Sequence, residues 1–255
     1  MDFALGSETV GISVSDQDTL LKAVRERQAG GRGFTVATLN LDHVAKIAVL
    51  PDFAQAYMRH DYVVADGRPV VWLSWIAGHP VKLTPGSELI LPLCRVALDL
   101  GARVALIGST DSVLQTAAGA LQAQFPGLHI CAKISPSQSF DPYGEEANHI
   151  IAELRRTRAQ LCFVALGAPK QECFAARAHV LVPQAGFVSI GAGLDFISGH
   201  QRRAPRIFRR LALEWFWRML ENPRRMIPRY ARCFLILPRL GVVAFKTRLA
   251  GISAD

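Results

Sequence analysis

Along residues 9–193, short apolar runs rich in β-branched residues alternate with longer stretches whose apolar positions recur every three or four residues. The runs TVGISV (9–14), FTVATLN (34–40), DYVVA (61–65), RVALIG (103–108), LHICAKI (128–134), LCFVALG (161–167) and GFVSIGAG (186–193) predict strands. Between them, SDQDTLLKAVRERQA predicts a helix capped by Ser15 or Asp16, and DHVAKIAV and DFAQAYM predict two short helices parted by Pro51. GRPVVWLSWIAG, GSELILPLCRVALDL (86–100, helical despite Pro92), DSVLQTAAGALQAQF (111–125), GEEANHIIAELRRT (144–157) and PKQECFAARAHVL predict further helices. This alternation implies an α/β, Rossmann-like fold: a mainly parallel sheet with helices on both faces. In such sheets ligands bind beyond the carboxyl ends of the strands. No internal repeat or low-complexity linker interrupts the pattern.

From Arg202 onward the character changes. Basic residues interleave with aromatics and Leu, and prolines at 205, 223, 228 and 238 predict several short helices, each with a basic and an apolar face. The chain therefore divides into a catalytic-type domain over residues 1–200 and a basic, amphipathic appendage over 201–255. Charge sharpens this division. The net +8 resides wholly in the appendage, which holds 13 Lys/Arg against 3 Asp/Glu, whereas residues 1–200 hold 16 against 18. Such a tail suits an anionic membrane surface. No run of about 18 apolar residues is present, and CFLILPRLGVVAF (233–245), broken by Pro238 and Arg239, reads as lying on a bilayer rather than crossing it. The N-terminus has no basic segment leading into an apolar one, so no signal peptide is expected. The five cysteines lack CxxC spacing and read as buried reduced thiols. These features together predict a cytoplasmic protein, peripheral on the inner face of the plasma membrane.

Three strand ends carry polar residues where a ligand belongs. Thr38 and Asn40 close one strand; their hydroxyl and amide suit a sugar, and equally suit turn or capping work. Asp66 ends another strand just before Gly67, where a carboxylate can act as general base or simply shape a turn. In VALGAPKQE, Gly167 lets the backbone approach a ligand, and Lys170, Gln171 and Glu172 follow at the start of a helix. After the last strand, Gly191 and Gly193 resemble the start of a dinucleotide fingerprint, but Phe196 stands where a third glycine is needed. A single nucleotide diphosphate fits a glycine-rich turn better than a redox dinucleotide.

These segments resemble the WecG/TagA/CpsF glycosyltransferase family (glycosyltransferase family 26). The resemblance rests on TLNLDHV (38–44), ADG (65–67), GSEL (86–89), ALIGST (105–110), VALGAPKQE (164–172), IGAGLDFISGHQRRAP (190–205) and LEWFWRMLENPRR (213–225), in family order. It implies an inverting enzyme that moves a sugar from a UDP donor to a polyprenyl-diphosphate-linked saccharide, in cell-wall polymer or exopolysaccharide synthesis. The sugar would be of N-acetylmannosamine type, its uronic acid, or of glucose type. By the same resemblance Asp66 is the expected base, and Thr38, Asn40 and Gln171 touch substrate; Gly67, Gly108, Gly167, Lys170, Glu172, Gly191, Gly193 and Asp195 are further candidate substrate-binding residues. Two departures bear on the sugars: KLTPGSEL places Lys82 or Leu83 where members usually carry Arg, with Glu88 for Asp, and ISPSQSFDPYGEE replaces a Gly-Tyr-Phe segment.

Transfer also requires neutralisation of the departing diphosphate. Asp16-Gln17-Asp18 spells a metal-binding DxD pattern, but at a predicted helix start it reads as an N-cap, and the isolated histidines have no metal spacing. A metal-independent reaction without a resident cofactor is expected, served by fixed cations. Arg202, Arg203, Arg206, Arg224 and Arg225 supply these, one or two over the diphosphate and the rest on lipid. A homo-oligomer, with the tail crossing between subunits, is compatible with the sequence. The alternative is a membrane- or nucleic-acid-binding, nucleotide-dependent protein without transferase activity; a nucleotide-dependent oxidoreductase is weakened by the broken glycine fingerprint. The apolar clustering of Trp215, Phe216 and Trp217 favours lipid, so no nucleic acid partner is expected.

Overall fold

The structure, a computed structural model, describes residues 2–5, 8–202, 204–205, 208 and 213–252. Arg203 and Arg206 lie outside the described residues, and of Arg225 only the backbone is described.

The chain opens with an antiparallel pair, β1 (Asp2–Leu5) and β2 (Glu8–Gly11), apart from the main sheet. TVGISV is thus not one strand. Beyond Gly11 the chain turns along the sheet edge, where the N–H groups of Ser13 and Val14 both donate to the Val63 carbonyl. Helix α1 (Gln17–Ala29) follows, capped by Asp16, whose carboxylate accepts the Thr19 N–H. The DxD-like triplet therefore performs capping work.

The main sheet consists of β3 (Phe34–Leu39), β4 (Tyr62–Ala65), β5 (Val104–Gly108), β6 (Ile130–Ile134), β7 (Leu161–Ala165) and β8 (Gly186–Ser189). Their order is β4-β3-β8-β7-β5-β6, and every pairing is parallel. The connecting helices are α2 (Leu41–Ile47), α3 (Pro51–Met58), α4 (Arg68–Ile76), α5 (Gly86–Asp99), α6 (Asp111–Gln124), α7 (Glu145–Arg156), α8 (Lys170–Leu181) and the short α9 (Gly193–Ile197). The fold is α/β and Rossmann-like.

Strand alternation sorts the core into two layers. Val36, Leu106, Phe163 and Val188 point to one side, where α1, α5, α6 and α9 bury Leu20, Leu89, Ile90, Leu93, Leu114 and Leu194. Ala37, Leu39, Val63 and Ala65 point to the other side, against α2, α3 and α4. Ala105, Ile107, Cys162, Val164 and Phe187 extend that second side against α7 and α8. This layering decides where a ligand can enter. The helices after β3 and β7 leave to the second side, whereas the helix after β8, lying between those strands, leaves to the first. Adjacent parallel strands whose connections diverge open a crevice at their carboxyl ends. Gly86 keeps that edge tight: a Cβ there would lie 2.7 Å from the Ser189 carbonyl oxygen and 3.1 Å from Thr38 Cγ2.

Two further helices follow, α10 (Glu214–Glu221) and α11 (Pro223–Ile252). The prolines at 228 and 238 do not divide α11 into the short helices expected from the sequence. Each proline withdraws an N–H from the helix, yet the stripe Met226, Cys233, Leu240 and Ala244 stays buried along its length, and the last three pack with α2 and α4. Continuous burial outweighs the broken backbone bonds. Among the described residues no helix is long and apolar enough to cross a membrane.

Candidate functional site

The crevice opens at the carboxyl ends of the strands, and the ends of β3, β4, β7 and β8 carry residues singled out from the sequence. At the end of β3, Asn40 caps α2 by accepting the His43 N–H on Oδ1 at 3.1 Å. Its Nδ2 lies 3.4 Å from His43 Nε2. Behind it, the Tyr57 hydroxyl donates to the Thr38 carbonyl at 2.9 Å, and His43 Nδ1 lies 2.8 Å from that oxygen and 2.6 Å from the hydroxyl. Burial drives His43 down to about 3, overcoming the opposing pull of Asp42. The ring is therefore neutral, with its proton on Nδ1 facing the carbonyl and Nε2 bare to accept the Asn40 amide. One amide N–H and one lone pair of Asn40 remain for other partners. Capping, the bland reading of Asn40, is real and coexists with a fixed, half-exposed amide at the crevice. Thr38 itself is buried, with its methyl against Gly86.

Asp66 stands at the end of β4, half-buried, with its N–H donating to the Leu39 carbonyl at 2.8 Å. Gly67 follows at φ +125°, a conformation that L side chains rarely adopt, and turns the chain into α4. The turn lies against Asn40, since a Cβ on Gly67 would fall 3.5 Å from Asn40 Cβ. The Asp66 charge is felt by two buried groups. The Tyr57 hydroxyl is raised by burial and then by Glu172 and Asp66, and the Glu172 carboxyl is raised by burial to about 7, with Asp66 adding to the effect.

From the end of β7 the chain passes Gly167 at φ +70° and enters α8. Gln171, expected to touch substrate, is instead buried and joins the turns after β7 and β8. Its Oε1 accepts the Gly191 N–H at 3.2 Å, and its Nε2 donates to Glu172 Oε1 at 2.7 Å. Glu172 is wholly buried and its second oxygen has no hydrogen-bond partner. It therefore holds Gln171 from behind, rather than meeting a ligand at the surface as its place in the motif suggested. Gly167 and Gly191 both adopt positive φ, and a Cβ on either would meet nothing within 4 Å. Open space flanks both turns.

The remaining positions do different work. Gly108 is a packing glycine, where a Cβ would fall 2.3 Å from the Ala165 carbonyl, and Gly193 is packed against Ile90. Asp195 accepts the Ser109 hydroxyl at 2.9 Å, which ties α9 to the end of β5. Ser109 itself sits at φ +58°, a strained conformation for a residue with a Cβ. Lys170 donates to the Gln138 carbonyl, and Arg202 and Arg224 are solvent-exposed. Among the described residues, no three His, Cys, Asp or Glu side chains gather as a metal-holding group.

Three supporting residues were not singled out from the sequence: His43, inside TLNLDHV, and Tyr57 and Lys46, outside every motif. Lys46 donates to the Ala168 carbonyl at 3.1 Å and pairs with buried Asp42 at 2.9 Å. Arg229 of α11 reaches the same Asp42 oxygen at 3.1 Å. The C-terminal helix is thereby pinned to the helix that begins at Asn40. Only the four-residue spacing of Asp42 and Lys46 was visible beforehand, and it reads as an ordinary helix-face pair.

The glycosyl transferase WecG/TagA/CpsF family model matches residues 7–252. An N-acetylglucosaminyldiphosphoundecaprenol N-acetyl-beta-D-mannosaminyltransferase of Bacillus spizizenii (strain ATCC 23059 / NRRL B-14472 / W23) is 30% identical over 210 residues, covering 80% of this chain and 79% of the relative. A protein of the same name from Bacillus subtilis (strain 168) is 27% identical over 205 residues, covering 78% of each. With the family matched over nearly the whole chain, the chain belongs to the WecG/TagA/CpsF family and is a glycosyltransferase.

Proposed function

We propose that the chain transfers an N-acetylmannosamine-type sugar from a UDP donor to a polyprenyl-diphosphate-linked N-acetylglucosamine, with inversion, in the synthesis of a cell-surface polymer. The names of the two relatives support the sugar and the acceptor. One observation carries the mechanism: Asp66 lies at the carboxyl edge of the sheet, beside the fixed amide of Asn40 and close enough to Glu172 and Tyr57 for its charge to act on both.

In this reading Asp66 takes the proton from the acceptor hydroxyl as that oxygen attacks the anomeric carbon. The bond from the anomeric carbon to the diphosphate breaks on the opposite face, and UDP leaves. General-base assistance of this kind contributes about 10²–10⁴-fold in rate. Asn40 orients the sugar, the buried Gln171 fixes the Gly191 turn by accepting its N–H, and Gly167 and Gly191 let the backbone approach the diphosphate. Its charge is met by the amino ends of α4 and α8 and by arginines of the tail, without a resident metal or cofactor. The same tail holds the enzyme on the inner face of the membrane, where the lipid-linked acceptor lies.

The test is turnover with purified UDP-sugars and a short-chain diphosphate-linked acceptor. Asp66→Asn is expected to lower kcat by at least about 10²-fold while keeping UDP affinity. Near-parental kcat in that variant removes Asp66 as the base. Absence of UDP stabilisation in a thermal-shift assay, where saturation at 100 times Kd adds about 2.7 kcal/mol, removes the donor assignment.

A further inference from the structure

Helix α4 starts at the Asp66–Gly67 turn and buries one side, Val70, Val71, Leu73 and Ser74, in the core. Its other side carries Trp72, Trp75 and Ile76 in the open, Trp75 at 57% exposure. Residues spaced three and four apart form one stripe on a helix. Two exposed tryptophans on one short helix are an unusual apolar surface for a water-facing layer.

This stripe is not isolated. The end of α4 abuts the C-terminal half of α11, where a Cβ on Gly78 would lie 3.7 Å from Arg248 Cγ. There α11 exposes Val242, Phe245 and Leu249, and further back Ile227, Phe234 and Leu235, the last at 80%. Leu235, Val242 and Leu249 lie opposite its buried stripe of Met226, Cys233, Leu240 and Ala244, and Ile227, Phe234 and Phe245 flank it. Charge identifies the occupant. Residues 223–252 contain seven Arg/Lys and no Asp or Glu, and residues 67–87 contain Arg68 and Lys82 and no Asp or Glu. A second copy of the chain docked on this face would bring cations against cations. An anionic bilayer supplies both the apolar depth and the opposite charge, and tryptophan suits its interface.

We propose that the outer stripe of α4 is a bilayer contact made by the catalytic layer itself, continuous with the exposed side of α11, and that it sets the distance between Asp66 and the lipid surface. The nine residues of α4 span about 13 Å. With Trp72, Trp75 and Ile76 in the interface, the turn that bears Asp66 is held within about one helix length of the head groups. The functional meaning rests on the lipid-linked acceptor proposed above; the contact itself does not.

The test uses the full chain with Trp72→Ser and Trp75→Ser together, and separately Trp75→Asp. Co-sedimentation is measured with phosphatidylcholine vesicles with and without phosphatidylglycerol. Turnover is measured with a long-chain acceptor in vesicles and with a short water-soluble acceptor. Both variants are expected to lose about tenfold or more in affinity for the phosphatidylglycerol vesicles, with matching loss on the long-chain acceptor and unchanged turnover of the soluble one. Parental vesicle affinity in both variants, each folded by its melting curve, overturns the proposal. So does a change in sedimentation coefficient showing that the substitutions break an oligomer instead. Vesicle binding is read without turnover, so an enzyme inactive with every UDP-sugar refutes the proposed reaction and leaves this contact standing or falling on its own.

Discussion

Replacing Glu172 by Gln should change how stability depends on pH, in a direction and by an amount the structure supplies. The carboxyl is wholly buried, one oxygen held by the Gln171 amide and the other without a hydrogen-bond partner. Burial raises it from an ordinary 4.5 to about 7, the Asp66 charge pushes the same way, and the Gln171 hydrogen bond and Lys46 oppose. At about 1.36 kcal/mol per tenfold change in proton affinity, keeping this group ionised in the fold costs about 3 kcal/mol. The folded chain binds the proton more tightly than the unfolded one. The contribution is therefore complete below pH 4.5 and is lost as pH rises through about 7. Between about pH 5 and about pH 8 the parent loses about 2–3 kcal/mol from this residue alone, and Glu172→Gln loses none. Urea unfolding of both proteins at the two pH values measures the difference. Other titrating groups, including His43 and His60, are common to both chains and cancel. Parallel stability profiles for variant and parent would refute the assignment of a buried, proton-holding carboxyl behind Gln171.

Three further outcomes follow from the same geometry. Burial holds His43 neutral down to about 3 and His60 down to about 4, so the stability they contribute is complete above 6.5 and is lost as pH falls from there; unfolding titrations from about pH 6.5 to about pH 4 should show a fall of about 3 kcal/mol from each. Gly86→Ala forces a methyl to within 2.7 Å of the Ser189 carbonyl, and a loss of about 1–3 kcal/mol, read as a lower Tm, should come with weaker UDP-sugar binding because the ends of β3 and β8 must part. Asp42→Ala leaves Lys46 and Arg229 without their shared buried carboxylate; about 2 kcal/mol should be lost, with faster proteolysis inside residues 223–252 than in the sheet.

The layers of the fold were legible because each strand of the main sheet is a short apolar run set between helical patterns, a few of them opened by a side-chain cap, as at Asp16 before α1 and Asn40 before α2. Asp66 and Asn40 stood out as candidates for a related reason: each is a polar residue where such a run stops, and parallel connections bring those stops to one edge. The residues that hold them did not. Tyr57 and His43 are 14 positions apart and meet only because α3 folds back on α2. Glu172 reads as a surface residue of the PKQE motif, yet the first turn of α8 points it inward. Local breakers also misled. Pro228 and Pro238 predict helix ends, but burial of Cys233, Leu240 and Ala244 carries α11 through both. At the amino end, the β-branched pattern of TVGISV says nothing of the turn that hands Ser13 and Val14 to the Val63 carbonyl.

Helix α11 serves as a splint across α2 and α4, whose first residues follow directly on Asn40 and on the Asp66–Gly67 turn. Cutting the chain before Pro223, a natural step toward an easily handled version, strips this brace from both helices and leaves Asp42 without Arg229. Kinetics gathered on such a shortened enzyme would describe a slackened pair of turns, and slow turnover there would reflect lost alignment rather than weak intrinsic chemistry.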